Sequence, residues 1–339
     1  MLAQGPRVAE FERAFAGFIG VNHAIATSNG TTALHAALLA HGVGPGDEVI
    51  TTPFTFMASV NSILFTGARP VLVDIDDSFN LNPELVEAAI TPHTKAIMPV
   101  HLYGQPANMG ALDQIARRHN LALVEDACQA HGAEFAGRRA GSFGTGCFSF
   151  YATKNMTTGE GGMITTDDEG IAQRARMIIA HGMKVRYYHE TLGYNYRMTD
   201  LAAAIGIEQL KKLPAFNARR AANAAWYDQH LANIPGLITP SVGPDRTHVY
   251  HQYTIRITPE YGLSRDALVE QLGKRGIGSA IYYPIPMHRQ HSMRAYSVGE
   301  LACPITEQMA DEVLSIPIHP SVTESDRLVI ADALISARQ

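Results

Sequence analysis

The sequence predicts an α/β fold: a mostly parallel sheet sandwiched by helices, followed by a smaller C-terminal α/β domain. Three observations carry this reading. Short, β-branched apolar runs alternate with longer helix-like stretches between residues 24 and 165. The runs are apolar on both faces, as strands covered by helices on both sides must be. After about residue 200 the pattern changes to two long helices and a second mixture of strands and helices.

Taken in order, the expected strands are 24–28, 48–52, 70–75, 96–100, 121–125, 147–150 and 162–165. Between several of them lie expected helices at 31–41, 57–66, 83–90 and 109–119. Turn clusters such as Gly42-Val43-Gly44-Pro45-Gly46-Asp47 separate the units. Residues 199–213 and 217–234 read as two long helices, and 235–247, rich in Pro and Gly, as a connection. A strand at 252–257, a helix at 264–273, a strand at 278–283 and helices at 306–314 and 323–337 complete the chain. The expected division is a large domain over 1–214 and a small one over 215–339.

The 339 residues are 46% hydrophobic and 17% charged, ordinary for a globular chain. Lys and Arg number 27 against 32 Asp and Glu, a net charge of −5 with no basic stretch, so nucleic acid is not an expected partner. No run reaches the roughly 18 apolar residues of a membrane helix. Cys128, Cys147 and Cys303 form neither a CxxC nor a paired framework, and no signal-peptide pattern is visible, so a reducing cytoplasm is the expected location. The 15 histidines show no HExxH spacing, and no metal is expected.

Ligands of such sheets bind beyond the carboxyl ends of the strands, so the chemistry is sought there. Asp126 ends the run Leu121-Ala122-Leu123-Val124-Glu125. A carboxylate there either caps a helix or pairs with the ring nitrogen of a pyridine cofactor, keeping the ring an electron sink. In Thr27-Ser28-Asn29-Gly30-Thr31-Thr32 a strand gives way to a helix rich in small hydroxyl residues. That start is either a capped helix or a phosphate site, since its first N–H groups lack partners. Phe56 is a core residue or a surface on which a planar ring stacks. Gln129 either opens a helix or bonds a cofactor or substrate oxygen.

Lys154 follows the short strand that ends in Ser149-Phe150 and precedes Gly159-Glu160-Gly161-Gly162. Alone it reads as a solvated surface lysine. Burial beneath a cofactor would lower its pKa and make it a nucleophile. Ser149 can reach a phosphate from the same turn. His181, Asn195, Arg197 and His288 are further polar candidates, each structural or functional on this evidence.

Four ordered segments carry a resemblance: Asn29-Gly30-Thr31-Thr32-Ala33-Leu34; Glu125-Asp126-Ala127-Cys128-Gln129-Ala130-His131-Gly132; Phe148-Ser149-Phe150-Tyr151-Ala152-Thr153-Lys154-Asn155 with the glycines after it; and Gly193-Tyr194-Asn195-Tyr196-Arg197-Met198-Thr199-Asp200. The chain resembles the DegT/DnrJ/EryC1/StrS family of sugar aminotransferases over nearly its whole length. The resemblance implies a fold-type I enzyme dependent on pyridoxal 5'-phosphate, a homodimer with shared active sites. Lys154 matches the lysine that holds the cofactor covalently, and Asp126 its ring-nitrogen partner. Thr31, Thr32 and Ser149 match phosphate binders, Phe56 the stacking aromatic and Gln129 the polar group beside the ring. Asn195 lies in the segment that family members extend into the neighbouring subunit's site, with Arg197 close by. His181, Arg197, Tyr283 and His288 are candidates for the sugar pocket.

The implied reaction moves an amino group from L-glutamate or L-glutamine to a nucleotide-linked keto sugar, first of all a 4-keto-6-deoxyhexose, for polysaccharide, glycan or antibiotic amino-sugar synthesis. Dehydratases of the family carry histidine at the Lys154 position, which disfavours that alternative. A keto-cyclitol aminotransferase stays open. A ligand-sensing regulator is disfavoured by the retained Lys154 and Asp126. The family pattern also has a helix-bearing segment upstream of Gly5-Pro6.

Overall fold

The computed structural model describes residues 2–296 and 302–338. The first unit runs α1 (Pro6–Ile19), β1 (His23–Thr27), α2 (Gly30–Ala40), β2 (Glu48–Thr51), α3 (Met57–Phe65), β3 (Arg69–Leu72), α4 (Pro83–Val86), β4 (Thr94–Ile97), α5 (Met109–Arg118) and β5 (Ala122–Asp126). A hairpin of β6 (Glu134–Phe135) and β7 (Arg138–Arg139) follows, then β8 (Thr145–Ser149), β9 (Gly162–Thr166) and α6 (Glu169–Ile178). A second hairpin, β10 (Met183–Val185) and β11 (Tyr188–His189), leads into α7 (Asp200–Leu231). The chain closes with β12 (Leu237–Ile238), β13 (Tyr253–Ile257), α8 (Arg265–Lys274), α9 (Pro304–Glu312), β14 (Val313–Ile316) and α10 (Glu324–Ser336).

Seven strands form the central sheet in the order β1-β9-β8-β5-β4-β2-β3. Only β9 runs against its neighbours; β8, β5, β4, β2 and β3 are parallel. Every residue of β2, β8 and β9 is buried. Alternation along the strands explains why. Phe148 and Met163 face a core shared with Phe11 and Phe15 of α1 and with Ile207 and Leu213 of α7. Their neighbours Cys147 and Ile164 face the other side, against Leu34 of α2 and Ile171 of α6. The sheet is thus covered on both faces, as expected.

The reversed strand matters for the site. Gly162, the first residue of β9, lies opposite both Thr27 and Ser149, the last residues of β1 and β8. The carboxyl ends of β1, β8 and β5 therefore gather along one edge.

The structure departs from expectation in several places. The two helices expected at 199–213 and 217–234 are one helix, α7, with Pro214 inside it. Proline removes one hydrogen bond. Here the buried face continues from Leu213 to Ala224, Tyr227 and Leu231, and tertiary packing outweighs the local break. The strand expected at 278–283 is a single bridge, Ala280 to Ser315. Residues 313–314, expected as helix, open β14, because β13 offers them a partner. Helices α1 and α6 lie outside the expected elements. The C-terminal sheet is antiparallel, β12-β13-β14, and packs on Leu268 of α8 and Leu334 of α10.

Candidate active site

At the gathered strand ends, Asp126 is buried and held on both oxygens. Ser59 Oγ donates to Oδ2 at 2.7 Å, and the Cys128 N–H donates to Oδ1 at 3.2 Å. Ser59 is in turn 2.8 Å from Thr55 Oγ1, so the carboxylate is oriented from two elements. Charge-assisted bonds of this kind are strong and fix direction. Neither Ser59 nor Thr55 is signalled in the sequence; each is one hydroxyl among many until α3 docks against β5.

Gln129 also proves a positioned group. Its Oε1 accepts from the Tyr103 N–H at 2.7 Å, and its Nε2 donates to Tyr283 Oη at 3.3 Å. The Tyr283 ring lies 6.1 Å from the Phe56 ring. Phe56 is 59% exposed, not a core residue, and stands just before α3. Together Phe56, Tyr283, Gln129 and Asp126 make one wall.

On the other side stands the start of α2. Asn29 caps it, accepting from the Thr32 N–H at 2.9 Å, while Thr32 Oγ1 accepts from the Asn29 N–H at 3.1 Å. The Thr32 hydroxyl is thus engaged in a capping box. The N–H groups of Gly30 and Thr31 have no partner among the described residues and are free for an anion. Gly30 is required by contact: a Cβ there would stand 2.7 Å from Ser149 Cβ. The helix start and the end of β8 therefore touch, and Ser149 is buried between them.

Lys154 sits in the turn after β8, its N–H donating to the Tyr151 carbonyl at 3.0 Å. Its amine makes no hydrogen bond or ion pair with a described residue. Burial lowers its pKa, opposed in part by Cys128 and Asp126. The neighbouring Cys128 thiol is held well up, first by burial and then by Asp126, so it stays protonated. Beneath the lysine His131 is fully buried and pushed down to about 3, by burial and by the Lys154 charge. His251 is lowered for the same two reasons. Both are neutral at neutral pH, so neither adds a positive charge beside the lysine.

Asn195 and Arg197 lie together, Arg197 Nε donating to Asn195 Oδ1 at 3.0 Å, with His181 Nε2 at 3.5 Å from the guanidinium. Tyr194 and Tyr196 alternate with them and stack at 4.8 Å; Tyr196 Oη is 3.1 Å from His35 Nδ1 of α2. The tyrosines pin the segment to α2 and leave Asn195 exposed. His288 is placed differently. It is buried, and its Nε2 is 2.9 Å from Glu307 Oε1, a carboxylate that Arg289 also binds. A polar groove of about 510 Å³ lined by His41, His93, Lys95 and His119 lies at the amino ends of β4 and β5, the opposite end of the sheet from Asp126. Among the described residues no group of three His, Cys, Asp or Glu side chains could hold a metal ion, and no helix is long and apolar enough to cross a membrane.

A family model described as the DegT/DnrJ/EryC1/StrS aminotransferase family matches residues 1–334. GDP-perosamine synthase of Caulobacter vibrioides is 45% identical over 95% of this chain and 87% of its own length. UDP-N-acetyl-3-dehydro-α-D-glucosamine 3-aminotransferase of Acidithiobacillus ferrooxidans is 43% identical over 95% of this chain and 86% of its own. Among solved structures, DesV of S. venezuelae in complex with a ketimine intermediate superposes with a TM-score of 0.96 at 40% identity, covering 100% of this chain and 91% of that one.

Proposed function

The chain belongs to the DegT/DnrJ/EryC1/StrS aminotransferase family, and from that premise we propose that it transfers an amino group from L-glutamate or L-glutamine to a nucleotide-linked keto sugar. Pyridoxal phosphate is the cofactor. It supplies an electron sink for a carbanion and carries the amino group between the two substrates. The residues fit it. Lys154 offers a buried, unpaired amine of lowered pKa. Asp126 offers a doubly held carboxylate. The start of α2 and Ser149 offer a cradle so close that a single Cβ would fill it.

The observation that carries the proposal is the meeting of these three groups at one edge of the sheet. Asp126 would pair with the ring nitrogen and keep it protonated. Gly30, Thr31, Thr32 and Ser149 would hold the phosphate, Phe56 would offer its face to the ring and Gln129 a polar group to it. Lys154 Nζ would hold the cofactor covalently at rest. Once released, it would take the proton from the donor's α-carbon and pass it on within the same half-reaction, then run the same transfer in reverse on the keto sugar. A lowered pKa keeps part of the amine neutral and able to act as a base.

The proposed assembly is a homodimer with shared sites. Exposed Tyr187, Tyr188, Leu192 and Leu201 flank in sequence the segment that presents Asn195 outward, with Arg197 half-buried beside it, which suits a second copy that receives Asn195. His181 and Tyr283 are proposed sugar-pocket residues, and His288 holds that pocket's wall through Glu307. A division into units of 1–214 and 215–339 accords with α7, whose packing passes from one core to another between Leu213 and Ala224. A cytoplasmic location suits three free cysteines and a nucleotide-linked substrate. Nucleotide-linked 4-keto-6-deoxyhexoses are the first acceptors to test and 3-keto sugars the next.

The test is spectroscopic. Protein incubated with pyridoxal phosphate acquires a visible absorption band, and Lys154→Ala removes both that band and glutamate-dependent amination of a nucleotide keto sugar read by mass spectrometry. A wild-type protein that stays colourless refutes the proposal.

A further inference from the structure

The residue that follows Lys154 is more completely bound than the lysine itself. Asn155 is 3% exposed. Its Nδ2 donates to Asn217 Oδ1 and to the Val249 carbonyl, both at 2.9 Å. Its Oδ1 lies 3.3 Å from Nδ1 of the neutral His251, which donates to it. Asn217, on α7, uses its own Nδ2 to bind the His131 carbonyl at 2.8 Å. His131 belongs to the loop that begins at Asp126 and includes Gln129. One side chain of α7 therefore touches two loops, the one that carries the lysine and the one that carries the carboxylate.

Further contacts lie on the same face of α7. Gln209 Oε1 accepts from the Thr157 N–H at 3.3 Å, at the far end of the lysine loop. Arg220 donates to the Tyr250 carbonyl at 2.9 Å and to the His251 carbonyl at 3.3 Å. Positions 209, 213, 217 and 220 follow the spacing of four, four and three that lines one side of a helix. Beyond them, Ala224, Tyr227 and Leu231 enter the core built on Tyr253, Ile255 and Ile316. The helix is a continuous bar from the lysine loop to the C-terminal sheet.

We propose that Asn217 and Asn155 are positioning residues for the reaction: a clamp on α7 that sets Lys154 against Asp126 and ties both to the C-terminal unit. The inference rests on the reading of Lys154 as the cofactor-bearing lysine. A purely structural role predicts lost stability and nothing else. A positioning role predicts a changed lysine. Without its bonds to α7, the loop keeps the bonds of Asn155 to Val249 and His251 and its own turn bonds, such as those from the Lys154 N–H to the Tyr151 carbonyl and from the Thr158 N–H to the Phe150 carbonyl, and loses its direct tie to the helix. The amine then moves into a wetter setting, away from Asp126, Cys128, His131 and His251.

The test uses the full-length protein in two states. In the cofactor-free protein, reductive methylation of Lys154 with formaldehyde and cyanoborohydride is followed by peptide mass spectrometry across pH. In the loaded enzyme, the pH titration of the visible band is followed with kcat and KM for glutamate. Asn217→Ala should move the methylation profile and the band titration to higher pH, and lower kcat between roughly 10- and 100-fold with little change in KM, as a misplaced catalytic group does. Gln209→Ala, which removes one weaker contact, should shift both profiles in the same sense by less. Profiles unchanged from wild type in Asn217→Ala overturn the clamp, whatever happens to its melting temperature. If Asn217→Ala fails to fold, an unchanged profile in Gln209→Ala overturns it. A wild type that takes up no cofactor refutes the aminotransferase reading instead, and the methylation experiment still decides the clamp.

Discussion

Gly30→Ala tests the proposed phosphate cradle at its narrowest point. The added methyl would stand 2.7 Å from Ser149 Cβ, 3.0 Å from Cys128 Sγ and 3.3 Å from Ser149 Cα. Ordinary contact begins near 3.4 Å, so α2 and β8 must part by 3.4 − 2.7 = 0.7 Å. Neither can yield by a side-chain rotation. Ser149 is strand backbone paired with Gly162 of β9, and α2 is packed through Leu34 and Leu38. Two terms oppose each other. Alanine is the better helix former by up to about 1 kcal/mol, whereas overpacking a buried contact costs about 1–3 kcal/mol. The clash wins, and the cofactor-free protein should lose on the order of 1 kcal/mol, read as a drop of a few degrees in melting temperature. The larger effect is on the anion. A phosphate bound from both sides loses one charge-assisted bond when the sides part, about 1.5–3 kcal/mol, or roughly 10- to 100-fold in affinity. The assay is equilibrium titration with pyridoxal phosphate and, as control, with unphosphorylated pyridoxal, whose affinity should change little. Equal affinity of the variant and wild type for the phosphorylated form would refute the cradle. So would an equal loss with both forms, which would mean the variant had damaged the lysine.

Two further predictions concern pH. Burial holds Lys154 below the ordinary lysine value of 10.5, so between its folded and ordinary values the unfolded chain binds more protons and stability of the cofactor-free protein rises with pH. Lys154→Met removes that dependence: the variant should be the more stable protein at neutral pH, and the difference should vanish above 10.5, as measured by urea unfolding. His131 runs the same way at acid pH. Pushed down from 6.5 to about 3, it is neutral in the fold and charged in the unfolded chain across that window, so stability falls as pH drops through it. His131→Asn should flatten the acid limb of the stability curve in part, since His41, lowered to about 4, and His248, lowered to about 3, share it. An unchanged limb would show that His131 is hydrated.

The order of strands and helices was legible because fully buried parallel strands are short apolar runs bounded by turn residues, a local signal. So were the places of Lys154 and Asp126 in the fold, each standing at or just past the end of such a run. Pro214 misled for the same reason: a helix breaker is a local signal, and the continuity of α7 is decided by packing on both sides of it. The sequence by itself determined most strands and helices of the central sheet, the residue types at the strand ends and, through four ordered segments, the family. Tertiary structure alone decided which side chains meet. Ser59 reaches Asp126 across 67 positions and Asn155 reaches Asn217 across 62. Tyr103 and Gln129 come together because the loops after β4 and β5 leave the same edge of the sheet. No short-range pattern encodes these pairs. They exist because the strand order sets β8 beside β5 and reverses β9, and because α7 lies across the result.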